Sequence, residues 1–152
     1  MIDCSFELNG KPMSALKCGG QTFPAYSGLG PHVNLSSSAC LQGKGPIPPG
    51  MYYIIDRQSG GLLGPLRNLF NAHDNWFALY AIDEKIDDEV FCNKVKRGNF
   101  RLHPKGTLGI SQGCITVENI SDFQRLQAML KDTKQEPIPG TNFMAYGIVA
   151  VK

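Results

Sequence analysis

Apolar positions alternate with polar ones along most of this chain, and glycine and proline interrupt the alternation at short intervals. A repeat of two puts every second side chain on one face, as in a strand half-buried against a core. The stretch SFELNGKPMSAL alternates on both sides of Asn9-Gly10, a dipeptide suited to a two-residue type I′ turn, and predicts an opening hairpin. QTFPAYSGLGPHVN continues in extended and turn conformation, and the segment from Leu35 to Lys44 has the Ser, Gly and Gln content of a surface loop. In GKGPIPPGMYYIIDR three prolines precede an aromatic and β-branched run, Met51 to Ile55, which reads as a rigid entry into a buried strand. QSGGLLGPLRNLFNAHDN is turn-rich with a short helix expected near Leu66 to Asn71, WFALYAI reads as a core strand, and TNFMAYGIVAVK as the last strand. DEKIDDEVFCNKVKRG is the most charged segment and reads as a surface excursion or flap. The period changes at ISDFQRLQAMLKD, where Phe123, Leu126, Met129 and Leu130 recur at helical spacing, and Ser121 with Gln124 matches a capping box.

Composition adds bounds to this pattern. A chain of 152 residues suits one compact domain with its own core and is short for two. With 42% hydrophobic and 18% charged residues it should fold, and 17 glycines and 10 prolines favour strands and turns over a helical bundle. The net charge of +2 gives no reason to expect nucleic acid as a partner, and the short cluster Lys94, Lys96 and Arg97 reads as a solvated basic turn. No apolar run of about 18 residues exists and MIDCSFELNG has neither a basic n-region nor an apolar h-region, so no membrane insertion and no Sec-type signal are expected. Cys4, Cys18, Cys40, Cys92 and Cys114 form no CxxC pair and share no metal-ligand spacing with His32, His73 or His103, so neither a metal nor another cofactor is expected. An odd count leaves at least one free thiol. The first four cysteines read as core thiols or disulfide partners, His32 and His73 as surface residues, and Trp76 as a core anchor.

The candidate chemistry lies in FRLHPKGTLGISQGCITV, from Phe100 to Val117. In NFRLH the apolar Phe100 and Leu102 alternate with Arg101 and His103; in CITV, Ile115 and Val117 alternate with Cys114 and Thr116. If the apolar sets face the core, His103 and Cys114 share the opposite face, and the glycine-rich connector is short enough for the two strands to be neighbours. A histidine within reach of a cysteine lowers its pKa and returns the proton to a leaving group. Gly113 leaves the backbone open, so that amides around Gly113 and Cys114 could meet an oxyanion. Arg101, on the same face, could hold a substrate carboxylate.

HPKGTLGISQGCIT resembles the active-site signature of L,D-transpeptidases, a histidine followed by a Ser/Thr-His-Gly-Cys element. FPAYSG, GPIPPGMYYI, WFALY and RGNFRLHP, between Phe6 and Val117, are similar to blocks of the type VI secretion effectors with an L,D-transpeptidase-like domain, antibacterial toxins that attack peptidoglycan. The resemblance implies a mainly β (α+β) fold, a single L,D-transpeptidase-like mixed β-sheet or barrel domain over residues 1–152 with one or two short helices. It implies Cys114 as nucleophile, His103 as general base, Ser111 and Gly113 as the matching Ser and Gly, and the Gly113–Cys114 backbone as oxyanion hole. The connector is shorter than in the wider family, Gln112 replaces the second histidine, and Thr116 stands where asparagine or arginine is common, which assigns Gln112 and Thr116 to the acceptor side of the substrate pocket. The implied reaction is cleavage of the bond between meso-diaminopimelate and D-Ala in tetrapeptide stems through a thioester, completed by water or an amine. The implied partners are peptidoglycan stem peptides, a cognate immunity protein and a secretion-system component, with delivery into the periplasm of a target cell. Two other readings share the strands: a non-catalytic peptidoglycan-binding module, and a cysteine endopeptidase or amidase, whose families usually place the cysteine before the histidine.

Overall fold

The computed structural model describes residues 1–57, 76–106 and 113–152. The helix expected near Leu66 to Asn71, His73, Ser111 and Gln112 lie outside the described residues. The strands are β1 (Ile2–Phe6), β2 (Ser14–Cys18), β3 (Gln21–Tyr26), β4 (Gly50–Asp56), β5 (Phe77–Ala81), β6 (Glu89–Cys92), β7 (Val95–Gly98), β8 (Arg101–Pro104), β9 (Ile115–Val117), β10 (Glu136–Pro137) and β11 (Met144–Val151). One helix, α1 (Ile120–Lys131), follows β9.

Eight strands close into a barrel in the order β1-β2-β3-β9-β8-β5-β4-β11, with β11 returning to β1; β10 extends the edge of β11, and β6 with β7 forms a separate two-stranded sheet. Neighbours are antiparallel except for β1 with β11 and β8 with β9, so the sheet is mixed and mainly β as expected. A barrel of this size has room inside for side chains and little else. Phe6, Leu16, Phe23, Tyr52, Ile54, Phe77, Leu79, Phe100, Leu102, Ile115, Val117 and Val149 fill it, and α1 packs Phe123, Leu126 and Leu130 against the same core. Three such side chains removed from water contribute about 1.5–3 kcal/mol each, which is what holds a twelve-residue helix in place. The opposite faces of β4 and β5 carry Ile55, Ala78 and Tyr80, covered by Ile138 and Phe143 in a smaller second cluster.

Two local expectations fail for tertiary reasons. The opening hairpin exists, with Cys4 opposite Cys18 and Phe6 opposite Leu16, but residues 7–13 form a wide loop in place of a two-residue turn. There Leu8 N–H donates to the Lys152 carbonyl, Gly10 N–H to that of Asn34, and the Asn9 side chain accepts from Lys11 N–H, so bonds to distant strands and loops outbid the local turn. The two-residue reversals are instead Gly19-Gly20 between paired Cys18 and Gln21, with φ of 56° and 82°, and Asn93-Lys94 between paired Cys92 and Val95, with φ of 47° and 68°, positive at both positions as a type I′ turn requires. Ser121 does not cap α1. Asn119 does: it is extended, and its carbonyl receives the first helical bond, from Phe123 N–H.

Four cysteines pair, Cys4 with Cys18 and Cys40 with Cys92, and Cys114 is in neither disulfide. Among the described residues no helix is long and apolar enough to cross a membrane, and no cluster of ligating side chains could hold a metal ion.

Candidate active site

The parallel pair β8–β9 aligns Leu102 with Ile115 and His103 with Thr116. Leu102, Ile115 and Val117 belong to the barrel core, so Arg101, His103 and Thr116 lie on the outer face of the wall. Cys114 directly precedes β9, two residues before Thr116. The outer face carries His103 and Thr116. It is not a solvent face: His103 is 4% exposed and Thr116 1%. Trp76 provides cover. It is not a core anchor; half-buried at the entry to β5, it stacks its indole on the His103 imidazole with centroids 4.2 Å apart and planes 20° off parallel. The Arg57 guanidinium lies over the indole at 5.7 Å.

The histidine's tautomer follows from one contact. His103 Nδ1 is 2.7 Å from the carbonyl oxygen of Pro104, and a carbonyl can only accept, so Nδ1 carries a hydrogen. This backbone contact holds the ring, and in the neutral imidazole it puts the lone pair on Nε2. Cys114 is half-exposed, its thiol in a long contact of 3.9 Å with the Asn99 carbonyl. Burial of the sulfur pushes the thiol above its ordinary value, against a backbone hydrogen bond from Arg101 and the Arg101 and Arg97 charges, which pull it down. At neutral pH the resting group is therefore a thiol, and a base is needed to make it a nucleophile.

Gly113 has a φ of +95°, and a Cβ there would lie 2.6 Å from Arg97 Nη2 and 2.7 Å from the Phe100 ring. Both the backbone conformation and the space restrict this position to glycine. Thr116 Oγ1 is buried without a hydrogen-bond partner among the described residues.

Arg101 is engaged. Its Nη1 and Nη2 donate fork-to-fork to Asp88 at 2.8 and 2.6 Å, and Nη1 also donates to the Phe100 carbonyl. A substrate carboxylate at Arg101 would have to displace Asp88, whose present effect is to bind the β6–β7 hairpin to the barrel wall. Arg97 is a correction: it is not part of a solvated basic turn. Lys94 is exposed in the turn and Lys96 pairs with Glu89 at 2.7 Å, but Arg97 is 4% exposed and donates to the carbonyls of Ala39, Pro46 and Gly45. The alternation of β7 turns it inward, which the charge count hid. His32, read as a surface residue, is half-buried with Nδ1 3.0 Å from Ser38 Oγ. A cleft of roughly 540 Å³ opens over Cys114, walled by Gln42 and Gly43 on one side and by Asp88, Glu89, Lys96 and Asn99 on the other. The Cys40–Cys92 disulfide ties the two walls together.

A small closed barrel with a cysteine outside its disulfides just before β9 and a backbone-held histidine on the parallel neighbour β8 defines a thiol-containing β-barrel domain with a cleft over the cysteine. The Tlde1 domain matches residues 21–141, which include β3 to β10 and every candidate site residue, and the chain belongs to that family. It is a family of type VI secretion effectors of L,D-transpeptidase kind, with peptidoglycan as target. No curated protein and no solved structure matches the chain.

Proposed function

We propose that the protein is a cysteine-dependent L,D-carboxypeptidase or L,D-transpeptidase acting on tetrapeptide stems of peptidoglycan. What supports this reading is the β8–β9 register, which aligns His103 with Thr116, two residues after Cys114, together with the Nδ1–Pro104 contact, which makes Nε2 the basic nitrogen of a neutral ring. Nε2 of His103 takes the Cys114 proton as the sulfur attacks the carbonyl of the L-centre of meso-diaminopimelate. The amides around Gly113 and Cys114 meet the developing oxyanion. The imidazolium then gives its proton to the departing D-Ala amine, leaving a thioester on Cys114. Water resolves it as a carboxypeptidase; a D-amino acid or the amine of another stem resolves it by exchange or cross-linking. Consumption of tetrapeptide donors would starve cross-linking, which accounts for toxicity in a target periplasm and for the need of an immunity protein in the producer. Ser111 is proposed beside the oxyanion, and Gln112 and Thr116 on the substrate side, Thr116 from its buried hydroxyl, which has no hydrogen-bond partner among the described residues, in register with His103.

Tetrapeptide muropeptides incubated with the wild type, Cys114→Ala and His103→Ala and read by mass spectrometry test the proposal. The wild type should release or exchange the terminal D-Ala and both variants should not. Unchanged muropeptides that still bind would make the domain a peptidoglycan-binding module, and internal cleavage of the stem would make it an endopeptidase.

A further inference from the structure

Arg97 is the one Lys or Arg that the described residues bury. Its guanidinium lies over the Phe100 ring at 5.4 Å, and its hydrogen bonds go to the carbonyls of Ala39, Pro46 and Gly45, all of them neutral. No carboxylate among the described residues pairs with it. Burying a cation without a counter-ion is costly, and pinning a loop by its carbonyls does not require a charge, since neutral donors do the same. The charge has a neighbour that gives it a use. Nη2 sits 2.6 Å from where a Gly113 side chain would begin, so the guanidinium abuts the Gly113–Cys114 peptide.

The other charges around Cys114 largely cancel. Arg101 of β8 is matched by Asp88, and the two act on the sulfur in opposite senses. Lys96 of β7 is matched by Glu89 of β6. His103, on β8, donates from Nδ1 to the Pro104 carbonyl. Arg97 adds a positive charge that no carboxylate among the described residues offsets, and it acts on the sulfur in the same sense as Arg101.

We propose that Arg97 is a positioning residue for Cys114, a cation with no counter-ion among the described residues, kept under the Gly113–Cys114 peptide to favour negative charge on the sulfur and on a carbonyl oxygen held there. The inference rests on Cys114 being the nucleophile. The mutual influence of Arg97 and Cys114 on each other's ionisation agrees with it.

The test is the rate of Cys114 alkylation by iodoacetamide against pH, without muropeptide and with the disulfides intact, in the wild type, Arg97→Gln, Arg97→Met and Arg97→Lys. The neutral variants should move the midpoint up by about one pH unit, making alkylation at pH 7 about tenfold slower. Arg97→Lys loses carbonyl bonds and should melt earlier, yet keeps the charge, so its rate should stay within about threefold of wild type at each pH. A folded neutral variant with an unmoved midpoint overturns the proposal. If neither neutral variant folds, the lysine variant decides: a midpoint displaced by about a unit while the charge is kept means Arg97 only braces the loop. Alkylation needs only the thiol, so a wild type that leaves muropeptides untouched would end the enzymatic reading without touching this measurement.

Discussion

Replacing both Cys40 and Cys92 by serine separates stability from function in a way the two disulfides make measurable. Cys40 and Cys92 stand 52 residues apart, and the chain-entropy model gives such a closed loop roughly 4 kcal/mol at 25 °C. Cys4 and Cys18 stand 14 apart, for about 3 kcal/mol by the same formula. Measured values fall at or below these, so a loss of about 2–4 kcal/mol is expected for either pair, or roughly 5–15 °C in Tm for a chain of this size. The pairs differ in what else holds their ends. Cys4 and Cys18 face each other across β1 and β2, strands already held by their own ladder and by barrel closure. Cys40–Cys92 joins the two walls of the cleft, where the other tethers are the Arg97 carbonyl bonds and the Arg101–Asp88 pair. Cys40→Ser with Cys92→Ser should therefore lower Tm, speed iodoacetamide alkylation of Cys114 several-fold as the wall opens, and reduce muropeptide turnover. Cys4→Ser with Cys18→Ser should lower Tm comparably and leave both other readouts alone. Thermal melts by circular dichroism, alkylation rates and muropeptide mass spectrometry cover the three quantities. If the Cys40 and Cys92 double variant keeps wild-type alkylation and turnover, the disulfide does not shape the cleft.

Gly113→Ala should cost about 1–3 kcal/mol from backbone strain alone, with more from the contact against Arg97 and Phe100, and should abolish turnover; urea unfolding that shows no loss would contradict the geometry. The thiol's folded-state pKa is raised by burial, so its contribution to stability is full below the unfolded value and lost as pH rises through the folded one. Above about pH 9 the wild type should lose Tm more steeply than Cys114→Ala, and equal slopes would mean that burial does not hold the proton. Thr116→Val removes a buried hydroxyl that makes no hydrogen bond among the described residues, which should raise stability by about 1 kcal/mol in denaturant titration while shifting product from D-amino acid exchange to hydrolysis. A large loss of stability there would reveal a partner for the hydroxyl.

The strands were legible as aromatic and β-branched runs. Met51 to Ile55, WFALYAI and the closing stretch bury side chains in two clusters, one on each face, and the structure places all three as strands, as expected. The shared outer face of His103 and Thr116 was legible from a repeat of two, which needs no knowledge of the partner strand. What pairs with what was not legible. The parallel alignment of β8 with β9 and the closure of β11 on β1 are fixed by the barrel as a whole, and no dipeptide encodes them. Asn9-Gly10 shows the same limit in reverse, a strong local turn signal overridden by backbone bonds to Asn34 and Lys152. Arg97 was hidden by its company: beside Lys94 and Lys96 it reads as one more surface cation, and the carbonyls that receive it come from residues 39–46.

The short blocks that carry the family resemblance are far apart in the chain and meet around the site. Ser27, in FPAYSG, accepts from the N–H of Ile47, in GPIPPG, at 2.8 Å. Arg97, in RGNFRLHP, donates to Gly45 and Pro46 of that second block, while Phe100 of the same stretch leaves room at Gly113 for glycine alone. Trp76, opening WFALY, lies on His103. A motif defined by His103 and Cys114 alone would need only two strands to place it. Four blocks are needed because an imidazole has to be fixed by stacking and a backbone carbonyl, and a cation with no carboxylate partner among the described residues has to be kept out of water by a cage of carbonyls from another loop. The barrel supplies the first through β5 and β8; residues 39–46 supply the second. Substitutions in GPIPPG, more than 50 residues from Cys114 in sequence, should therefore reach the thiol through Arg97, and their alkylation profiles should follow the guanidinium's position and not the melting temperature.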